Sequence, residues 1–108
     1  MPEEIKQTET LRQKQCRFVK MFALLIQHAY QIGYELTFPS EALKHKENSL
    51  HYIGLAKDIN LFSGGEFLQS TEAHKALGEY WESLGGCWGG RFVDADGNHY
   101  SLSHNGVK

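Results

Sequence analysis

The fold of this 108-residue chain is decided by the segment Ser49–Asp58, which has the sequence SLHYIGLAKD. His51 and Asp58 are separated by seven positions, and on one flat strand such residues would point to opposite faces. Gly54 lies between them, and glycine adopts the backbone conformations of a tight bend without a steric penalty. We therefore expect the chain to bend near Gly54 and to bring both side chains to one site.

A second polar segment, Asp96–His99, supplies another imidazole and another carboxylate. Two imidazoles and one carboxylate form a three-ligand set typical of a catalytic zinc site, which keeps a fourth position for water. The spare carboxylate can serve as the base that takes a proton from that water. The residues alone leave alternatives open: Asp58 in a structural salt bridge, His99 in a turn, and Asp94 and Asp96 as turn formers.

Length and composition indicate one globular domain, which we expect to span residues 1–108. The formal net charge is -2, and the longest basic cluster is Lys44-His45-Lys46, which is too short to follow a phosphate backbone and argues against a nucleic-acid partner. No apolar run approaches the roughly 20 residues of a membrane span. The polar N-terminus does not resemble a secretory signal. We expect a monomer without stable membrane insertion.

Hydrophobic periodicity predicts two helices, over residues 10–32 and 71–84, and a short helical turn over 41–45. Thr10 begins a capping-box match, and Gly33 suits the position that follows a helix. Extended pieces are predicted over 34–38, 55–62, 66–68, 90–93 and 99–102. The turn Ser63-Gly64-Gly65 lets the piece at 66–68 pair back as a hairpin. The connections are mostly too short for parallel crossovers. We therefore predict an α+β domain, with a small antiparallel sheet and helices packed on one face. The predicted buried stripe of the first helix contains Leu11, Phe18, Phe22, Leu25, Ala29 and Ile32.

The pattern Ser-x-His-x-x-Gly-x-Ala-x-Asp, followed by Asp-x-x-His, resembles the zinc peptidoglycan peptidases of the D-alanyl-D-alanine carboxypeptidase group. This group includes VanY- and VanX-type enzymes and phage L-alanyl-D-glutamate endolysins. The flanking segments at 80–85 (YWESLG) and 88–92 (WGGRF) are similar to the phage branch. The resemblance covers roughly residues 30–104. The motif positions in this chain are Ser49, His51, Gly54, Ala56 and Asp58, followed by Asp96 and His99.

The resemblance implies a Hedgehog/DD-peptidase-like fold and a Zn2+ ion bound by His51, Asp58 and His99. It implies that Asp96 is the general base, which takes a proton from water and passes it to the leaving amine. The expected substrate is the stem peptide of bacterial peptidoglycan, cleaved by an endolysin with L-alanyl-D-glutamate specificity. The alternatives are a D-alanyl-D-alanine carboxypeptidase and a catalytically silent module that binds zinc or the cell wall. We expect synthesis in the host cytoplasm without a signal peptide and action at the cell wall after membrane permeabilisation.

One feature of the resembled family is missing from this chain. Its members usually have an arginine between the strand before the site and the Ser-x-His motif, but residues 34–49 contain none. Lys44 or Lys46 can replace that cation, and Arg91 can reach the site from the other side. This departure concerns catalytic efficiency and substrate choice more than zinc binding.

Several other residues have secondary roles in the prediction. Ser49 and Asn60 are expected to form hydrogen bonds with the metal ligands. Trp88 is expected either to line the cleft or to pack in the core. The remaining histidines are interpreted as surface or packing residues: His28, His45, His74 and His104.

Overall fold

The computed structural model describes residues 8–40 and 45–108. The predicted helical turn over 41–45 therefore lies outside the described residues except for His45. The predicted α+β class is confirmed: this part of the chain forms two helices and six short strands. The antiparallel strands are divided between two three-stranded sheets, whereas a single small sheet was expected. None of the described helices combines the length and the apolar character that crossing a membrane requires.

Helix α1 spans Leu11–Gln31 and begins at the predicted capping box. The Thr10 hydroxyl accepts a hydrogen bond from the Gln13 backbone N–H at 3.1 Å, and the Gln13 side chain accepts one from the Thr10 N–H at 2.9 Å. Gly33, at φ 98°, follows the helix in the left-handed conformation. Leu11 and Ile32, at the ends of the predicted stripe, are 41% and 46% exposed. The buried residues of α1 are Phe18, Met21, Phe22, Leu25 and Ala29.

The first sheet contains strands β1 (Glu35–Thr37), β3 (Asn60–Ser63) and β4 (Glu66–Leu68), with β3 in the centre. Strands β3 and β4 form the predicted hairpin. Its turn contains Gly64 and Gly65, which have φ values of 57° and 83°. These values explain the Gly-Gly pair, because residues with a side chain rarely adopt them.

The second sheet contains strands β2 (Ala56–Asp58), β5 (Cys87–Trp88) and β6 (His99–Ser101), with β6 in the centre. The prediction of one strand over 55–62 was wrong, because the chain leaves one sheet for the other at Ile59. Ile59 is fully buried, and its backbone N–H donates to the Asn98 carbonyl at 3.1 Å. This change of sheet leaves Asp58 at the end of β2, directly opposite His99 on β6.

The predicted second helix consists of a 3-10 turn at Glu72–His74 and helix α2 at Lys75–Ser83. The Ser70 hydroxyl accepts a hydrogen bond from the Ala73 N–H at 3.1 Å, as expected near a helix start. The extended piece predicted over 90–93 was wrong, because the chain forms a 3-10 turn at Gly89–Arg91 directly after β5.

Trp81 connects both helices to the second sheet. Its ring is fully buried and packs edge-on against Phe18 and Phe22 of α1, with centroids 5.5 and 5.9 Å apart. Its indole N–H donates to the Ser101 carbonyl on β6 at 2.9 Å. The sheet that carries Asp58 and His99 is thereby fixed against both helices.

Substitution of Gly78 separates helix propensity from packing. A Cβ added at Gly78 would lie 2.1 Å from a ring carbon of Trp88. Propensity alone predicts that Gly78→Ala stabilises the protein by about 1 kcal/mol, whereas overpacking predicts a loss of about 1–3 kcal/mol. We expect the loss, measured as the free energy of unfolding in urea. In a Trp88→Ala background the same substitution should stabilise, and continued destabilisation there would contradict this packing argument.

His74 makes folding stability depend on pH. Its Nδ1 forms a 2.8 Å hydrogen bond with the Tyr100 hydroxyl, and burial lowers the pKa of His74 to about 4. The unfolded chain, with a histidine pKa of about 6.5, therefore binds this proton more tightly than the folded protein. The folding stability that neutral His74 contributes is present above a pH of about 6.5 and is lost as the pH falls toward about 4.

We expect the stability advantage of the wild type over His74→Gln to decrease by about 2–3 kcal/mol between pH 7 and pH 4. Urea denaturation of both proteins at each pH measures this difference, and effects of other titrating groups largely cancel in the comparison. A difference that stays constant with pH would show that His74 does not carry the effect.

Candidate metal centre

Strand pairing brings Asp58 and His99 together. They are direct partners in the antiparallel β2–β6 pair, and side chains at such positions start about 4.5–5.5 Å apart at Cβ. Asp58 Oδ1 lies 3.5 Å from His99 Nδ1. Two residues that are distant in sequence therefore become neighbours through the register of one strand pair.

The predicted bend at Gly54 brings His51 to the same carboxylate. His51 lies in a 3-10 turn at Leu50–Ile53, which Gly54 ends in the left-handed conformation at φ 70°. The Ser49 hydroxyl accepts a hydrogen bond from the His51 backbone N–H at 3.1 Å, so it orients this residue through its backbone. His51 Nε2 lies 3.4 Å from Asp58 Oδ1.

The distances around Asp58 suit a shared cation. Charge-assisted N–H···O hydrogen bonds are about 2.7–2.9 Å long, and both distances to Asp58 Oδ1, 3.4 and 3.5 Å, exceed that range. Two ligands on a tetrahedral zinc ion with bonds of about 2.0–2.1 Å lie about 3.3 Å apart. Asp58 Oδ1 is also buried, and no described residue forms a hydrogen bond with it. Because an unpartnered buried carboxylate is costly, these donors fit a bound metal ion.

Two overlapping groups of ligand atoms share Asp58. One adds His45 and His51, and the other adds Asp96 and His99. Within each group, the ligand atoms lie within 4.8 Å of one another. The other three predicted site residues therefore surround Asp58, with Asp96 exposed to solvent and His99 buried, but His51 and His99 belong to different groups.

A network of backbone contacts holds the loop that carries Asp96. The Gly89 carbonyl accepts a hydrogen bond from the Asp96 N–H at 2.9 Å, and the Asp96 carbonyl accepts one from the His99 N–H at 3.1 Å. Trp88 donates from its indole N–H to the Gly97 carbonyl at 2.7 Å. Trp88 is only 3% exposed, so it packs in the core and does not line the cleft. Its hydrogen bond to Gly97 supports the loop that carries Asp96.

The local electrostatics differ among the site residues. Burial lowers the pKa of His51, and the Asp58 carboxylate opposes this only in part. Burial acts to raise the pKa of Asp58, but the imidazoles of His99 and His51 outweigh it, and that pKa lies below its usual value. Burial and the Asp58 charge raise the pKa of Asp96. A neutral imidazole and an ionised carboxylate are the protonation states that bind metals, and an acid with a raised pKa is better suited to proton transfer.

The cluster opens into a cleft of about 510 Å³, whose lining includes Lys46, Phe92 and Lys108. Of the cations considered as replacements for the missing arginine, Lys46 lies in this cleft, and Lys44 lies outside the described residues. The structure disfavours Arg91 among these alternatives. Its guanidinium binds Glu82 on α2 through two contacts of 2.9 and 3.0 Å, so it does not line the cleft.

The prediction that Asn60 forms a hydrogen bond with a metal ligand was wrong. The Asn60 side chain donates to the Thr37 hydroxyl at 3.2 Å, within the first sheet, and does not contact a predicted metal ligand. Of the surface and packing roles left open for His45, the structure shows packing, because its ring stacks on His51 with centroids 3.7 Å apart. Little in the sequence indicates this contact. His45 lies in an aperiodic segment, and its one signal was a second imidazole close to the first motif.

The family model of D-alanyl-D-alanine carboxypeptidases matches residues 43–102, which is more than half of the chain. The chain belongs to the D-alanyl-D-alanine carboxypeptidase family. The matched region contains both motifs and therefore all four clustered residues. Zinc-dependent peptidases are the general rule in this family, and the donors around Asp58 agree with that chemistry. A comparison with curated proteins found no matching sequence.

Gly89 packs closely against Asp96 and His99, and Gly89→Ala tests whether this packing holds the two residues in place. A Cβ at this position would lie 2.2 Å from the Asp96 carbonyl oxygen and 2.8 Å from His99 Cβ. We expect Gly89→Ala to displace both residues and to weaken zinc binding at least about tenfold, as loss of a supporting contact does elsewhere. Competition with a chromophoric chelator measures the affinity.

Gly65→Ala is the control for this substitution. It also adds a methyl group at a glycine, but Gly65 lies in the β3–β4 turn, has a positive φ of 83° and has no neighbouring atom within 4 Å of the added Cβ. It should reduce stability through backbone strain and leave zinc affinity unchanged. Equal zinc affinity in Gly89→Ala and the wild type would contradict the role assigned to Gly89.

Proposed function

We propose that this chain is a zinc-dependent peptidase domain that cleaves the stem peptides of bacterial peptidoglycan as an L-alanyl-D-glutamate endopeptidase of the endolysin type. It acts as a monomer at the bacterial cell wall. Family membership supports peptidase activity, and the resemblance of the segments at 80–85 and 88–92 to the phage branch favours the endolysin specificity. The single observation that carries the proposal is the buried Asp58 oxygen, which lies 3.4 and 3.5 Å from two imidazole nitrogens and has no described hydrogen-bond partner.

In this proposal His51, Asp58 and His99 hold the metal. When bound, zinc supplies a Lewis acid that polarises the scissile carbonyl and makes water more acidic. The three ligands come from a 3-10 turn and two paired strands, so the backbone fixes them before a metal binds. Such preorganisation reduces the entropy that ordering the ligands would otherwise cost.

Asp96 moves the proton in this reaction. It accepts a proton from the attacking water, whose oxygen forms the new bond to the carbonyl carbon. When the C–N bond breaks, Asp96 returns the proton to the leaving amine. Its position beside Asp58 and His99 and its raised pKa suit a group that must both accept and donate a proton.

Lys46 and Lys108 add positive charge to the cleft lining. Stem peptides carry free carboxylates, and a lysine ammonium attracts such groups as a point charge. We propose Lys46 as the functional replacement for the missing arginine, since Arg91 is already paired with Glu82.

Replacing the proposed base tests the reaction. We expect Asp96→Asn to reduce hydrolysis of purified peptidoglycan by about 10²–10⁴-fold, because it removes proton transfer, and to retain zinc. Asp94→Asn is the matched control, since Asp94 lines the same cleft and undergoes the same chemical change. Release of new amino termini measures the rate, with and without a chelator, and equal loss in both variants would contradict the assignment of Asp96.

The same assay separates the alternatives. Mass spectrometry of the released fragments identifies the bond: disaccharide-linked L-alanine supports the endopeptidase, whereas free D-alanine indicates the carboxypeptidase. A wild type that binds zinc but releases no new amino termini would indicate the silent binding module, which the missing arginine favours.

A further inference from the structure

His45 lies in the cleft, belongs to neither sequence motif, and has a ring nitrogen of the kind that binds metals. Its imidazole stacks on His51 with centroids 3.7 Å apart and ring planes 2° from parallel. One ring nitrogen of His45 lies within 4.8 Å of the ligand atoms of both His51 and Asp58. Among the residues that the structure describes, none forms a hydrogen bond with the His45 ring. It therefore presents an uncommitted nitrogen to the cluster.

Tyr52 fixes the position of His45 through its backbone. The Tyr52 hydroxyl donates to the His45 carbonyl at 3.0 Å and accepts from the His45 N–H at 3.1 Å. Tyr52 directly follows His51 in the 3-10 turn at Leu50–Ile53. Both imidazoles are thus anchored to the same turn. Tyr52 is 59% exposed, so these two hydrogen bonds, and not burial, hold its side chain in position.

We propose that His45 is a fourth protein ligand of the metal in the substrate-free protein, alongside His51, Asp58 and His99. This inference rests on the proposed function. A catalytic zinc site has three protein ligands and one exchangeable position, and His45 fills that position until water or substrate displaces it. The 4.8 Å limit relates His45 to His51 and Asp58 and exceeds the ligand separation of about 3.3 Å in a tetrahedral site. Because the nitrogen lone pair lies in the ring plane, metal binding requires the His45 ring to turn out of its stack on His51.

The alternative role for His45 is that its ring only packs against His51 and orients it. His45→Phe distinguishes the two roles, because phenylalanine retains a flat ring for stacking but has no nitrogen. His28→Phe is the matched control. His28 is also a stacked histidine, with its ring 3.9 Å from that of Tyr80 and 4° from parallel, but it belongs to α1 and does not line the cleft.

We expect His45→Phe to weaken zinc binding at least about tenfold in competition with a chromophoric chelator, while His28→Phe keeps wild-type affinity. Nitrogen NMR of the histidine rings in the wild type gives a second measurement that needs no variant. Zinc should shift ring-nitrogen resonances of three histidines, those of His45, His51 and His99. Shifts confined to His51 and His99, or wild-type zinc affinity in His45→Phe, would overturn the inference.

Failure of this inference is distinguishable from failure of the proposed function. His51→Ala serves as the reference, because it removes one of the three principal ligands. If the wild type binds zinc, His51→Ala does not and His45→Phe binds normally, then the role of His45 is wrong and the zinc site remains. If His51→Ala binds zinc as the wild type does, both proposals fail.

Discussion

The Asp58 carboxylate, whose buried Oδ1 oxygen lies between two imidazoles, is the constraint on which the site depends. Strand pairing fixes it opposite His99, and the bend at Gly54 returns His51 to it. Neither imidazole lies close enough to Asp58 Oδ1 for a strong hydrogen bond. Burial opposes a charge at this position, and the two imidazoles outweigh it and hold the pKa of Asp58 below its usual value. A bound cation would satisfy the Oδ1 oxygen, which accepts no hydrogen bond from the described residues.

Much of the surrounding architecture serves to hold this arrangement. The chain crosses from one sheet to the other at Ile59, which lets β2 end at Asp58 and pair with β6. Trp81 ties β6 to both helices, and Trp88 supports the loop of Asp96. Three glycines are required by the aromatic packing, because any side chain at Gly78, Gly86 or Gly90 would collide with a tryptophan ring. The two buried tryptophans therefore support the second sheet and the loop that carries Asp96.

The sequence was sufficient for features with a strong local signal. The capping box of α1, the Gly-Gly hairpin and the bend at Gly54 all follow from backbone preferences of a few adjacent residues. The residues of the candidate site were identified through motif spacing and resemblance, and the structure places them in one cluster. Their roles as ligands and base remain proposals.

Features that depend on tertiary contacts were not predictable. The extended pattern at 55–62 does not show that the Ile59 N–H donates to the Asn98 carbonyl and that the segment divides between two sheets. The Gly90–Val93 segment has an extended pattern, but packing around Trp88 favours a 3-10 turn. The sequence does not show that Arg91 pairs with Glu82 and so stays away from the cleft. The stacking of His45 on His51 depends on the conformation of a loop that has no hydrophobic periodicity.

The most direct test of the central claim is the crystal structure of the zinc-loaded protein, with anomalous scattering measured at the zinc edge. We expect one zinc ion bonded to its three principal ligand atoms, Asp58 Oδ1, His51 Nε2 and His99 Nδ1, at about 2.0–2.2 Å from each. Absence of an anomalous peak there, with Asp58 drawn to about 2.8 Å from a histidine in a direct ion pair, would contradict it.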